Sequence, residues 1–154
     1  MTPPLFVPVD FEPPTPPVTE EFVLVPIRLE YNEGDLDAWR SSVDHIHATP
    51  GFAGRPWPDE PMTLERNAAD LQGHVDDFAQ RQGFTYSVLE PAMSQVIGCV
   101  YIYPSSEESI DADIRSWVRG THARLDTPLY QTVTQWLQDA WPFRALAYAP
   151  RTAD

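Results

Sequence analysis

Three residues near position 117 have the types and spacing of an anion-binding site. In a β-strand, Arg115, Trp117 and Arg119 point to the same face because side chains alternate. A cationic and aromatic stripe fits a phosphate or carboxylate ligand. The alternative is ion pairing with surrounding acids, since the chain has 23 acidic against 10 basic residues. The stripe therefore predicts either an anion site or a set of ion pairs.

The stripe leads into a strand, loop and helix over residues 113–140. Helix N-termini that follow strands bind phosphate in many folds. In this loop, however, Asp126, Thr127 and Pro128 add side chains near the backbone, and the proline removes one N–H donor. Thr127 is predicted to cap the helix, with Pro128 in its first position. The architecture favours phosphate binding and the residues oppose it.

The histidines and the single cysteine form no motif for a metal or a nucleophile. His45 and His47 are two apart on a predicted helix and point to different faces, while His74 and His122 are distant in sequence. No metal site is expected. Cys99 lies in an apolar run, where a buried and unreactive thiol is expected.

The net charge of −13 opposes binding to nucleic acid or to an anionic membrane surface. A cationic partner such as an amine is electrostatically favoured. No apolar run has the ~20 residues that a membrane span requires, and the N-terminus lacks the pattern of a signal peptide. With one cysteine as well, the composition predicts a cytoplasmic protein.

Hydrophobic periodicity predicts five strands and three helices. The strands are expected over residues 21–30, 84–89, 96–103, 113–119 and 143–149. The helices are expected over residues 35–47, between a cap at Thr63 and a stop at Gly83, and over residues 127–140. The order β-α-α-β-β-β-α-β predicts an α/β fold whose twisted mixed sheet is an antiparallel meander with one parallel crossover.

Residues 1–20 hold seven of the seventeen prolines and are predicted to form an arm before a domain over residues 21–150 and a tail over residues 151–154. The arm is either a disordered tail or an extended segment, because Phe6 and Phe11 give it apolar groups to bury. An extended arm would pack on its own domain or exchange with another subunit in a homodimer.

The element order, the VIGCVYIY run and the strand-loop-helix at residues 113–140 together resemble the GNAT superfamily of acyl-CoA-dependent N-acetyltransferases. The resemblance covers roughly residues 21–150. It implies a three-layer sandwich in which the fourth strand binds the pantetheine arm of acetyl-CoA, and the following loop and helix bind its pyrophosphate. By position it implies cofactor-binding roles for Trp117, Val118, Arg119, Arg124, Leu129 and Tyr130.

Two departures from the family pattern bear on activity. The first predicts that acetyl-CoA binds weakly, and the second concerns the part of the family that often supplies a general-acid tyrosine. The pyrophosphate loop of the family reads Arg/Gln-x-x-Gly-x-Gly/Ala, and only Arg124 agrees here, since Thr127 and Leu129 stand at the glycine positions. The family also continues after the fifth strand with a helix and two strands, which these 154 residues do not contain.

Asp113 opens the fourth strand, where some members of the family place a carboxylate base. The resemblance implies that Asp113 takes the proton of the substrate ammonium as a catalytic base. The alternative is a solvated carboxylate in an acidic turn.

The loop at residues 49–61 lies where the family builds its acceptor site. Its side chains either line a substrate pocket or form a rigid aromatic plug over the sheet. The residues concerned are Phe52, Arg55 and Trp57, with Asp59 and Glu60 beside them.

The resemblance implies acyl transfer from acyl-CoA to an amine of a small molecule or protein. The alternative is a non-catalytic GNAT-like module that has lost CoA binding and acts in binding or assembly. An open gap between the fourth and fifth strands favours the enzyme. A gap filled by Trp117 or Tyr148 favours the module.

Overall fold

A five-stranded mixed sheet forms the middle layer of the protein. The computed structural model describes residues 5–57 and 62–151. The strands lie in sequence order as β1 (Val23–Pro26), β2 (Phe84–Leu89), β3 (Val96–Pro104), β4 (Ala112–Val118) and β5 (Leu146–Tyr148). β1 to β4 are antiparallel and β5 is parallel to β4. The predicted α/β class, meander and parallel crossover are confirmed.

Helices cover both faces of the sheet, as a three-layer sandwich requires. They are α1 (Asn32–Arg40), α2 (Val43–His47), α3 (Leu64–Ala79) and α4 (Asp126–Ala140), with 3-10 turns at Leu29–Tyr31 and Gly120–Leu125. No helix within the described ranges is both long and apolar enough to cross a bilayer.

Each face of the sheet has its own apolar core because side chains alternate along the strands. On the α4 face, Ile102 and Ile114 pack with Leu129, Val133 and Leu137 of the helix. The opposite core lies beneath α1 and α2, and its fully buried members include Trp39, Ile46, Cys99 and Trp117. Cys99 is therefore buried as expected, and burial raises the pKa of its thiol.

The helix predicted over residues 35–47 is divided into α1 and α2. Ser41 and Ser42 separate the two helices, and Ser42 has non-helical backbone angles. The Ser42 hydroxyl accepts a hydrogen bond from the Gly120 N–H at 2.9 Å. This tertiary contact links the helix break to the segment after β4, and local periodicity gives no sign of it.

The cap predicted at Thr127 was wrong, although α4 begins within one residue of the predicted start. The Thr63 cap is confirmed, since its hydroxyl accepts from the Arg66 N–H. The 3-10 turn Gly120–Leu125 runs directly into α4, which begins at Asp126 without a side-chain cap. Thr127 therefore lies inside the first turn. The turn supplies backbone acceptors instead, because the Asp126 N–H donates to the Ala123 carbonyl.

The described part of the arm packs against its own domain. Val7 is 2% exposed, and Phe6 stacks on Phe84 and Phe143 with ring centroids 6.0 and 5.1 Å away. Phe11 contacts Trp141. Aromatic burial of this kind explains how a proline-rich segment is held with few backbone hydrogen bonds.

Candidate acceptor pocket and cofactor gap

β5 pairs along its whole length, but only with the first half of β4. The paired residues end at Ile114 and Tyr148, while β4 continues to Val118. Among the described residues, no strand pairs with the second half of β4 on this side. The backbone of residues 115–118 therefore borders a gap, as the resemblance implies for the pantetheine arm.

Polar side chains fill this gap. The Tyr148 hydroxyl contacts the Ser116 hydroxyl. Arg151 donates from Nη2 to the Ser116 carbonyl at 2.8 Å and from Nε to Asp126 Oδ2 at 2.9 Å. The Arg151 side chain is only 3% exposed. By the criterion stated for Tyr148, the filled gap favours the non-catalytic alternative.

The ion pair places a carboxylate and a guanidinium at the N-terminus of α4. Asp126 is the first residue of that helix, where the helix dipole favours a negative charge. Arg151 also lies over the rings of Tyr130 and Tyr148, at 5.8 and 5.5 Å from their centroids. An internal carboxylate thus stands where an acyl-CoA phosphate would be expected, and a nearby cation neutralises it.

Sequence reasoning assigned Arg151 to the tail and named other cations for the phosphates. Arg124 is exposed and has Glu21 as its nearest acid at 3.9 Å. Arg119 is buried, donating to the Val96 carbonyl at 2.7 Å and to Asp37 at 2.9 Å. Arg119 therefore ties α1 to β3, and of these cations only Arg151 lies in the gap.

The remaining predicted cofactor residues lie near the gap without forming a single surface. Trp117 is fully buried in the core beneath α1, and its indole N–H donates to the Tyr101 hydroxyl at 3.0 Å. Val118 and Leu129 are fully buried on the opposite face. Tyr130 contacts Tyr148 edge-on at 4.6 Å. Their roles in binding a cofactor stay predictions.

Arg115 of the stripe pairs with Asp113 at 3.2 Å, just as Arg119 pairs with Asp37. The structure thus forms the ion pairs that were the alternative to an anion site. Asp113 and Arg115 also line a cavity of about 440 Å³ along the edge between β4 and β5. The predicted base is therefore beside the gap, with its carboxylate held by an arginine.

A larger cavity of about 560 Å³ lies between α3, the loop after α2 and the sheet. Phe52, Arg55 and Trp57 all line it, so the structure brings the three predicted substrate residues together. Asp59 and Glu60 lie outside the described residues. Arg115 lines this cavity too, and is thus shared with the cavity at the β4–β5 edge.

A buried carboxylate that sequence reasoning missed lies at one end of the larger cavity. Asp35 is 5% exposed and accepts from the Asn67 amide at 3.1 Å, and Asn67 accepts from the Trp39 indole at 3.1 Å. Burial raises the pKa of Asp35 to about 6, and the nearby charge of Asp70 adds to this effect. Asp35 was overlooked because it lies among the apolar residues of a helix.

A second polar group, also missed, lines the cavity from α3. His74 Nδ1 lies 2.7 Å from the Tyr103 hydroxyl, which donates to Asp77 at 2.8 Å. The spacing of Asp70, His74 and Asp77 places them on one helix face. The i, i+4, i+7 spacing of these polar residues is visible in the sequence, but the apolar stripe on the same helix predicts only its core-facing side.

No protein-family model matches the sequence, and neither does any curated protein. Solved structures do match. One is the microcin C7 self-immunity acetyltransferase MccE in complex with acetyl-CoA and AMP, with a TM-score of 0.58 and 12% identity over 79% of this chain and 63% of that one. Another is RimL, the ribosomal L7/L12 α-N-protein acetyltransferase in complex with coenzyme A, with a TM-score of 0.61 and 12% identity over 79% and 64% of the two chains.

The ribosomal-protein-S5-alanine acetyltransferase of Vibrio fischeri matches with a TM-score of 0.60 and 13% identity, over 81% of this chain and 68% of that one. The chain spans less than two thirds of the length of MccE and RimL. At these identities the likeness concerns the fold. The chain has the fold of the GNAT-superfamily N-acetyltransferases.

Proposed function

We propose that the protein transfers an acyl group from acyl-CoA to an amine of a small molecule or protein. The observation that carries this proposal is the meeting of two cavities at Arg115. One follows the β4–β5 edge, where the resemblance implies that an acyl donor binds. The other lies under α3 and offers carboxylates and aromatic rings to an acceptor. A transfer between two substrates requires two adjoining sites of this kind.

The chemistry would be direct attack of a neutral amine on the thioester carbonyl. Backbone N–H groups of β4 beyond the last β5 pairing are suited to polarise that carbonyl as negative charge develops on its oxygen. Asp113 is a candidate for taking the ammonium proton, with Arg115 holding its carboxylate in place.

Acyl-CoA would have to displace the contacts that fill the gap. Arg151, once released from Asp126, is suited to pair with a pyrophosphate through charge-assisted hydrogen bonds. Asp126 opposes the same ligand through its like charge. We therefore expect weak binding of acetyl-CoA, with a dissociation constant of ~0.1 mM or higher and a free energy of ~5 kcal/mol.

The second candidate is a non-catalytic module that has lost CoA binding. The filled gap favours it specifically, because Tyr148 and Arg151 occupy the space beside Ser116. In this case the cavity under α3 would serve binding alone.

Calorimetric titration with acetyl-CoA tests the choice between the candidates. The enzyme requires saturable binding near ~0.1 mM, with ADP binding more weakly because it lacks the pantetheine arm. Absence of saturation at about 5 mM, in both the unmodified protein and Asp126→Asn, would support the module. Micromolar binding would show that the pair at Asp126 does not oppose the ligand as proposed.

A further inference from the structure

The hydrogen bonds of the larger cavity determine which nitrogen of His74 carries a proton. The Tyr103 hydroxyl donates its one proton to Asp77 Oδ2 at 2.8 Å. His74 Nδ1 lies 2.7 Å from the same hydroxyl oxygen and must therefore be the donor to it. Thr85 Oγ1 lies 3.3 Å from this nitrogen as well. A neutral imidazole with Nδ1 protonated keeps its lone pair on Nε2.

The surroundings of His74 keep this ring neutral and accessible. Burial lowers the pKa of His74, although Asp77 and Asp70 counteract the shift. The ring lines the cavity and contacts Tyr101 at 5.4 Å between centroids. The titratable and charged groups that line the cavity with it come from four elements and one loop. They are Asp70 and Asp77 of α3, Cys99, Tyr101 and Tyr103 of β3, Arg115 of β4, Asp35 of α1 and Arg55 of the loop after α2.

The residues that line the cavity indicate the chemical class of its ligand. The ring of Trp57 lies 5.9 Å from that of Phe52 and 6.5 Å from that of Tyr101. Aromatic faces attract both apolar groups and cations. Asp35, Asp70 and Asp77 add three carboxylates, against the guanidinium groups of two arginines, one of which is paired with Asp113. An ammonium on an aromatic body complements this combination.

We propose that the cavity binds an arylalkylamine and that His74 Nε2, in place of Asp113, accepts one proton from its ammonium group. The N–H bond breaks towards His74, which becomes an imidazolium, and the amine is left with a free electron pair. Tyr103 and Asp77 stabilise the imidazolium through Nδ1. After attack on the acyl carbon, the second proton leaves the nitrogen and reaches the departing thiolate, which completes the amide and the thiol. The acyl step rests on the proposed function, and amine binding does not.

Long-range ¹⁵N–¹H NMR of protein labelled at histidine measures the tautomer directly. Loss of a signal in His74→Gln identifies the His74 resonance. If His74→Gln fails to fold, the resonance that shifts in Tyr103→Phe identifies it instead. His122→Gln is a matched control, because His122 lies beside Glu90 and not in the lining of the cavity. We expect His74 to carry its proton on Nδ1 and an unprotonated Nε2 at about pH 8. A proton on Nε2 would overturn the proposal.

Titration with tyramine then tests the ligand class. The control ligand is 4-ethylphenol, which has the same aromatic group but no amine. We expect tyramine to shift the His74 Nε2 resonance and to bind about tenfold tighter than 4-ethylphenol. Asp77→Asn should weaken tyramine binding while leaving 4-ethylphenol unchanged. Equal affinity of the two ligands, or a tyramine effect that leaves Nε2 unchanged, would refute the assignment.

The two proposals fail in different experiments. Tyramine binding without acetyl-CoA binding would leave the amine site intact and reject acyl transfer. Acetyl-CoA binding with the wrong His74 tautomer would preserve the acyltransferase proposal and reject His74 as its base. If both ligands bind, the decisive measurement is acylation of tyramine against pH in unmodified protein and in His74→Gln. Loss of the low-pH limb in the variant is expected, and an unchanged profile would exclude His74.

Discussion

Replacing Asp126 with Asn should tighten the binding of acetyl-CoA. The substitution keeps the shape of the side chain, removes a negative charge from the N-terminus of α4 and releases Arg151 from an ion pair of 2.9 Å. A freed guanidinium gains ~1.5–3 kcal/mol from a charge-assisted bond to phosphate. Loss of its bond to the Ser116 carbonyl offsets about 1 kcal/mol of this gain. The net gain of ~0.5–2 kcal/mol corresponds to about two- to thirtyfold higher affinity.

The same substitution should destabilise the unliganded protein. Breaking a fully buried ion pair by removing one partner costs ~3–5 kcal/mol. Since the Asp126 side chain is 17% exposed, we expect about 2–3 kcal/mol in the free energy of unfolding. A lower free energy of unfolding together with tighter acetyl-CoA binding would show that the charge of Asp126 stabilises the fold and weakens ligand binding.

Calorimetry at low and high salt, together with urea unfolding, measures both effects. Asp139→Asn is the matched control, because Asp139 is an exposed acid near the other end of α4 that hydrogen-bonds only Gln135 among the described residues. The control changes the net charge equally and should leave both quantities nearly unchanged. If Asp126→Asn binds acetyl-CoA no better than Asp139→Asn does, the proposed competition at the helix N-terminus is refuted.

The remaining predictions concern stability. Because burial raises the pKa of Asp35 to about 6 from 3.8, the folded state binds more protons than the unfolded state between these pH values. This group therefore lowers the free energy of unfolding as pH rises through that window, by at most ~3 kcal/mol. Urea unfolding at several pH values should show a flatter dependence of this free energy on pH in Asp35→Asn, and an equal dependence in both proteins would contradict the assignment. Phe6→Ala should cost ~2 kcal/mol through lost stacking, whereas Leu5→Ala, at a side chain 69% exposed, should be neutral; equal effects on melting temperature would mean that the arm contributes little. Gly98→Ala should cost ~2 kcal/mol or more, because its Cβ would lie 2.3 Å from the Trp117 carbonyl, whereas Gly73→Ala on α3 should stabilise by ~0.5–1 kcal/mol; thermal unfolding of both variants decides this.

The central strands of the sheet could be predicted from the sequence because they are long and apolar. The run at residues 96–103 and the alternation around Ile114 specify β3 and β4 locally. The capping of α4 could not be predicted, since the carbonyl of Ala123 replaces the expected cap at Thr127 and leaves no composition signal. Local patterns identify elements, whereas a 3-10 turn joined to a helix depends on tertiary contacts such as that of Ser42 with Gly120.

The candidate site was predictable only where its residues share one segment. Phe52, Arg55 and Trp57 lie close in sequence, and all three line the same cavity. Arg151 meets Asp126 across 25 residues, and Tyr103 meets His74 across 29. The first pairing arises from the β4–α4–β5 crossover and the second from the contact of α3 with β3, so no motif encodes them.

Polar side chains fill the gap between β4 and β5, and this determines how much free energy is needed to reopen it for a ligand. A gap closed by apolar side chains would reopen only by exposing them to water, at ~25 cal/mol for each Å². Here the contacts at Ser116, Asp126 and Tyr148 are hydrogen bonds and an ion pair, which an anionic ligand could exchange for its own. Reopening would then cost the difference between two sets of polar contacts, and each such contact is worth only ~1 kcal/mol net. Arg151 is therefore suited to act both as the closure of the gap and as a ligand for phosphate, and the charge of Asp126 determines which role prevails.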